Sequence, residues 1–149
     1  MGIIEGEKTV DIAAPIGRCF DIAADIEHAP AWQGTLKDVE VLSTDGDGRA
    51  ERVETESDAS VKTVKARLRF SYEEPDRIGW VQEKGEVKSL EGWWRFEELG
   101  PEETRASYGL RVDPGRMLGM LLRGPAVDRV REVLIERAAE ELEVRAEQS

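Results

Sequence analysis

Two groups of residues in this chain have the types and spacing to do chemistry. The first lies in "DIAADIEHAPAW", residues 21–32, which holds Asp21, Asp25, Glu27, Trp32 and the only histidine, His28. Asp25 and His28 are three apart, so on a helix they share one face and could form an acid–base pair or part of a metal site. A metal needs three or four converging ligands, and one histidine with two carboxylates on a short helix falls short. The expectation is therefore architectural: solvated or capping carboxylates, and a histidine on an exposed turn. The second group is the phenols of Tyr72 and Tyr108, which can orient or polarise a carbonyl inside a dry pocket.

Other chemistries find little support. Cys19 sits beside Phe20 on an apolar helix face with nothing basic close by, so it reads as a small buried hydrophobe, not as a nucleophile. A single cysteine also removes internal disulfides, CxxC redox pairs and cysteine-based metal clusters. No Ser-His-Asp or Cys-His set can be assembled around one histidine in a turn. The segment "GDGRAE" at 46–51 joins two strands, so it is a hairpin and not a phosphate loop. No metal, cofactor or catalytic set is expected from these residues.

The elements that must position Tyr72 and Tyr108 follow from periodicity. A short strand over about 5–13 precedes "APIGRCFDIAADI", where Pro15 can start a helix and Ile16, Cys19, Phe20 and Ala23 recur at helical spacing. Pro30 interrupts, which predicts a second short helix around 26–32. The period then becomes two. "LKDVEVL", a turn at "DGDG", "RAERVETE" and "VKTVKARLRFSY" follow in order. In the last of these Val64, Ala66, Leu68, Phe70 and Tyr72 alternate with Lys65, Arg67, Arg69 and Ser71, giving one apolar and one wet face. "RIGWVQE", "SLEGWWRFEEL" and "TRASYGLRV" continue an antiparallel meander, with Ile78 and Trp80, then Leu90, Gly92, Trp94 and Phe96, then Ala106, Tyr108, Leu110 and Val112 inward. Trp93 falls outward beside Arg95.

From 126 onward the period is helical. Val127, Val130, Leu134, Ala138 and Leu142 form one stripe, widened by Val133, and Glu141–Arg145 is a favourable pair at i, i+4 on the wet side. The expected architecture is α+β: one curved antiparallel sheet of seven strands, two short helices after the first strand, and a long terminal helix across the apolar face. With 149 residues and no repeat or linker, the chain reads as a single domain over 1–149.

Composition narrows the partners. The net charge of −11 disfavours nucleic acid and anionic membrane surfaces. The one basic stretch, "KTVKARLRF", lacks the interleaved aromatics of a nucleic-acid reader. The longest apolar run, "MLGMLL" at 117–122, is far below the ~20 residues of a membrane span. A cytoplasmic protein without stable membrane insertion is expected.

The inward aromatics Phe70, Tyr72, Trp80, Trp94, Phe96 and Tyr108 either fill a solid core or line a pocket for a flat apolar ligand. "PGRMLGMLLRGP" at 114–125 is too apolar for a solvated loop. Met117, Met120 and Leu121 read either as one more turn of core helix or as a flexible gate hinged at Gly119 and Gly124.

The ordered set "IAAP" at 12–15, "FDIAADIEHAPAW" at 20–32, "VEVL" with "DGDG" at 39–48, and "LEGWWRFEEL" at 90–99 with Thr104-Arg105 resembles the START-like superfamily. This superfamily is also called SRPBCC, and the chain is most similar to its polyketide cyclase/dehydrase and coenzyme Q-binding group. The resemblance spans nearly the whole chain. It implies a helix-grip fold, a sheet wrapped around the carboxy-terminal helix with an apolar cavity between them. It favours the pocket reading, with Phe70, Tyr72, Trp80, Trp94, Phe96, Tyr108, Met117, Met120 and Leu121 lining it. The resulting expectation is a binding or carrier protein for an apolar small molecule such as a polyketide, isoprenoid quinone or lipid. A cyclase or dehydratase is the first alternative, for which the inner face offers Tyr72, Tyr108 and Glu51 while Arg67, Arg69, Arg95 and Arg105 point outward. A macromolecular-interaction module, as in ribosome-associated relatives, is the second.

Overall fold

The computed structural model describes residues 2–60, 62–120, 122 and 124–148, and of Met117 the backbone only. Seven strands form one antiparallel sheet in the order β1-β7-β6-β5-β4-β3-β2. They are β1 Ile4–Ile12, β2 Leu36–Thr44, β3 Ala50–Asp58, β4 Thr63–Glu73, β5 Arg77–Gly85, β6 Ser89–Gly100 and β7 Glu103–Asp113. Each of β2 to β7 pairs with the strand before or after it in sequence, and β1 closes onto β7, so that Ile4 faces Val112 and Ile12 faces Thr104. Register shifts within β2–β3 and β4–β5 bend the strands, as an extra unpaired residue does. The sheet therefore curves around its apolar face.

Alternation fixes which side faces inward. Ala66, Leu68 and Phe70 are buried on β4 while Lys65, Arg69 and Ser71 are exposed between them. The outer face is held by cross-strand ion pairs, among them Arg111 to Glu5 at 3.0 Å, Arg105 to Asp11 at 2.9 Å and Arg67 to Glu54 at 2.7 Å. Trp93 lies on this outer face, its indole N–H donating to Glu7 at 2.7 Å and its ring over Gly109 and beside Arg95. Any side chain at 109 would overlap that ring, so glycine is needed there.

Helix α1, Ile16–Ala24, follows β1 directly, and a 3-10 helix over Ile26–Ala31 carries the chain on to β2. α1 buries Cys19, Phe20, Ala23 and Ala24, the face read from its spacing. After β7 come a short helix α2, Gly115–Gly119, and then a long helical run in three pieces. These are α3 Pro125–Arg131, a π-helical turn Glu132–Glu136, and α4 Arg137–Glu147. Pro125 starts the run, where a missing N–H costs nothing, after Gly124 at φ 58°. The continuous α-helix expected from the stripe thus contains one wider turn. That turn lets Val133 and Ile135 both become buried.

The helical run crosses the inner face from one end of the strands to the other. α4 packs on β1, β7 and α1. Arg18 on α1 donates to the Ala146 carbonyl at 2.6 Å, and Glu147 accepts from the Ala13 N–H at 2.9 Å. The sheet grips the helix, and the fold is the expected helix-grip arrangement.

Candidate functional site

A cavity of about 130 Å³, open at one end, lies between the inner face of the sheet, the start of the long helix and the segment leading into β2. The sheet supplies Phe70, Trp80, Trp94 and Tyr108 to its wall, with smaller side chains such as Ala66 and Leu68 between them. Leu118, Leu122, Val130 and Leu134 close it from the helical side. The aromatic rings touch in a chain. Phe70 and Trp80 have centroids 5.5 Å apart, Trp80 and Tyr108 5.6 Å, and Tyr108 and Trp94 4.7 Å at a steep angle. Trp80 lies flat over Gly92 on the neighbouring strand, where any Cβ would overlap its indole.

Polar groups on the wall are few. Tyr108 and Gln33 are both buried and lie close to each other. Burial holds the Tyr108 phenol protonated well above its ordinary range, against a smaller opposite pull from Gln33. Thr35, Thr55 and Ser57 form a second polar strip along β3 and the start of β2. Lys62 is the one charged side chain on the wall among the described residues.

Behind Tyr108 and Gln33 stands Glu141 of α4. Its Oε2 accepts the Gly34 N–H at 2.9 Å, and its Oε1 is buried without a partner among the described residues. Burial raises the Glu141 carboxyl above its ordinary value, opposed by the Gly34 N–H and by Arg137. The expected surface pair with Arg145 does not form. Glu141 is drawn inward because the loop at Gly34 offers an otherwise unsatisfied backbone donor and Gly34 leaves room for the carboxylate.

The residues expected to line the pocket divide by position along the strands. Phe70, Trp80, Trp94 and Tyr108 are on the wall. Tyr72 and Phe96 face inward too, but sit at the far strand ends under α1. There the Phe96 ring meets Phe20 edge-on at 6.1 Å, and the Tyr72 hydroxyl donates to the Ala50 carbonyl at 2.6 Å. Arg49 lies over both Phe20 and Tyr72 and pairs with Glu74 at 2.9 Å, which closes that end. Met120 is 61% exposed and off the wall, and Leu118 and Leu122 take the place it was expected to fill. Leu121 and the side chain of Met117 lie outside the described residues. Glu51 is not on the wall either.

The acid–histidine pair of the 21–32 segment also has its geometry. His28 Nδ1 is 2.9 Å from Asp25, but the side chains are 67% and 52% exposed. Among the described residues no three His, Cys, Asp or Glu side chains converge as metal ligands. Cys19 is buried, and desolvation pushes its thiol above the ordinary value, which disfavours the thiolate. No described helix is long and apolar enough to cross a membrane.

Comparison with known proteins agrees with this architecture. The family model for polyketide cyclase / dehydrase and lipid transport matches residues 12–139. The chain belongs to that family. A START superfamily protein from Mycobacterium smegmatis superposes with a TM-score of 0.84 at 25% identity, over 99% of each chain. A protein from Thermus thermophilus has a TM-score of 0.81 at 24% identity, covering 95% of this chain and 96% of that one. The Zhui aromatase/cyclase from Streptomyces sp. R1128 has a TM-score of 0.76 at 22% identity, over 99% and 95% of the two chains. These likenesses establish the START-like fold. No curated protein matches the sequence.

Within this polyketide cyclase/dehydrase-type domain, sequence reasoning found the aromatic wall and missed Gln33, Lys62 and Glu141. Gln33 follows a proline-broken helix and carries no periodic signal. Lys62 lies in a turn between strands. Glu141 stands on the polar side of its helix by spacing, and only the approach of the Gly34 loop makes it interior.

Proposed function

We propose that the chain binds an apolar small molecule, inserting a ring-sized portion of it between the sheet and the long helix. The observation that carries this reading is the aromatic wall of Phe70, Trp80, Trp94 and Tyr108 around about 130 Å³ of space. A cavity of about 150 Å³ lined by apolar side chains is enough for benzene. The space therefore suits one aromatic ring or a short branched chain, and a longer polyketide, quinone or lipid would leave its remainder at the opening. Burial of apolar area, at roughly 25 cal/mol per Å² before ordering costs, drives the association. Tyr108 and Gln33 are placed to orient an oxygen on the ligand.

Family membership fits a carrier and a cyclase equally, and the side chains favour the carrier. Arg67, Arg95 and Arg105 are engaged by carboxylates on the outer face. Glu141, the acid nearest Tyr108, has its carboxylate behind the wall and not on it. A buried, protonated phenol with an amide can hold a carbonyl, but among the described residues no base faces it across the cavity.

Native mass spectrometry of freshly purified protein tests the reading directly. A stoichiometric apolar adduct, released on denaturation, is expected. Trp80→Ala and Trp94→Ala should lower its occupancy severalfold, while Trp93→Ala on the outer face should leave it unchanged. Equal losses from all three variants would overturn the assignment of the wall.

A further inference from the structure

The cavity has a chemical polarity that the aromatic wall does not explain. The strand ends at Asp58, Gly85 and Asp113 come together on one side of the sheet, and Ala59, Lys62, Val87, Pro114, Leu118 and Leu122 line the cavity there. Lys62 is half-exposed, so its ammonium sits at the opening while its stem follows the apolar wall. It is bonded to Glu86 at 3.1 Å.

Glu86 is an unusual partner because it does not depend on Lys62. Its Oε1 accepts the Lys65 N–H at 2.7 Å, and its Oε2, on a side chain 39% exposed, is the oxygen that holds Lys62. If Lys62 swings away, that oxygen turns to water and the carboxylate keeps its backbone donor. Exchange of the Lys62 partner therefore leaves no buried charge behind, the usual penalty for breaking an ion pair. A flexible ammonium with three donors suits such an exchange better than a rigid guanidinium would.

A second lysine stands at the same opening. The chain is strongly acidic, yet two of its six lysines, Lys62 and Lys88, lie on the β3–β4 and β5–β6 connections at this opening, Lys88 3.9 Å from Asp113.

We infer that the occupant of the cavity carries a carboxylate at its outer end, which takes Lys62 from Glu86 while the apolar portion fills the space against Trp80 and Tyr108. The inference rests on the binding reading above and adds the chemical class of the ligand. Glu86 holds the ammonium in the free protein as the ligand's carboxylate holds it in the complex.

Isothermal titration calorimetry with two probes of equal size, 4-butylbenzoate and 4-butylbenzyl alcohol, tests it. The wild-type protein should bind the acid about tenfold more tightly than the alcohol, the size of one charge-assisted hydrogen bond. Lys62→Met should abolish that preference by bringing the acid's affinity down to that of the alcohol, and Lys62→Arg should retain part of it. Glu86→Gln, which frees Lys62 while keeping an acceptor for the Lys65 N–H, should widen the preference severalfold. Equal binding of both probes by the wild type, or a preference that survives Lys62→Met, would overturn the carboxylate assignment and leave the cavity reading intact. Binding of neither probe would overturn both.

Discussion

At the end of the sheet where the strands turn through 45–49, 73–77 and 100–103, the inner face is solid. At the opposite end, where β3, β5 and β7 finish, it is hollow. Both ends present aromatic residues at the same alternation, so side-chain type does not explain the difference. What differs is the covering layer. α1 lays Phe20 and Cys19 into the solid end, where Ile12, Ile78, Thr104 and Leu142 are all less than 2% exposed. The buried Thr104 hydroxyl is satisfied by the Ala14 carbonyl at 2.8 Å. Over the hollow end lie small or separate pieces: Ile26 and Ala29 of the 3-10 helix, the loop into β2, Leu118 and Leu122, and the start of the long helical run. A sheet that curves around one helix cannot meet it closely along its whole length, and α1 is the wedge that fills one end. The pocket is defined by where α1 stops.

The largest test of that contrast is Phe20→Ala, which empties the solid end. It should cost about 3–5 kcal/mol, the range for truncating a buried phenylalanine, measured as a shift in the urea midpoint. Phe70→Ala on the cavity wall should cost less, because part of its surroundings is already empty. Costs of equal size would remove the distinction between the ends.

Filling the two ends makes the contrast stricter. Ala106→Leu adds volume at the fully buried, solid end and should destabilise by about 1–3 kcal/mol. Ala66→Leu adds the same volume on the cavity wall and should be nearly neutral in thermal melting while blocking ligand uptake. If Ala66→Leu proves as costly as Ala106→Leu, the cavity is not real space.

A third change acts through the wall itself. Gly92→Ala would drive its methyl into the Trp80 ring and push the indole toward the cavity. Loss of ligand occupancy at modest cost in stability is expected. Unchanged occupancy with a large loss of stability would mean that Trp80 cannot move inward.

The smallest effect is electrostatic and lies between the two ends. The Glu141 carboxyl has its folded-state value raised, chiefly by burial. For such an acid the protonated form favours the fold, so its contribution is fully present below the unfolded value of about 4.3 and is lost as pH rises through the raised value. Glu141→Gln should therefore flatten the stability profile over that interval in pH-dependent melts. The same slope in wild type and variant would show that Glu141 stays ionised.

Much of this was legible from residues alone. The alternation in "VKTVKARLRF" placed Ala66, Leu68 and Phe70 on the buried face, because a half-buried strand tolerates only one register. Pro15 and Pro125 marked helix starts through their missing N–H. Other features had no local signal. Tyr72 and Phe70 belong to the same alternating run, yet one packs at the solid end and the other lines the cavity, because α1 comes from a different part of the chain. The π-helical turn at Glu132–Glu136 was invisible because a stripe with Val133 and Ile135 flanking it fits an α-helix nearly as well.

The strand count, the inward and outward faces, the helix starts and the family are all written along the chain, in short-range periodicity or in an ordered set of motifs. Packing alone settles which inward aromatics border empty space and that Glu141 turns toward Gly34. Packing also brings Lys62 to the wall as its one charge among the described residues. Those facts depend on how far apart two layers settle, a distance set by the side chains of both and encoded in neither alone.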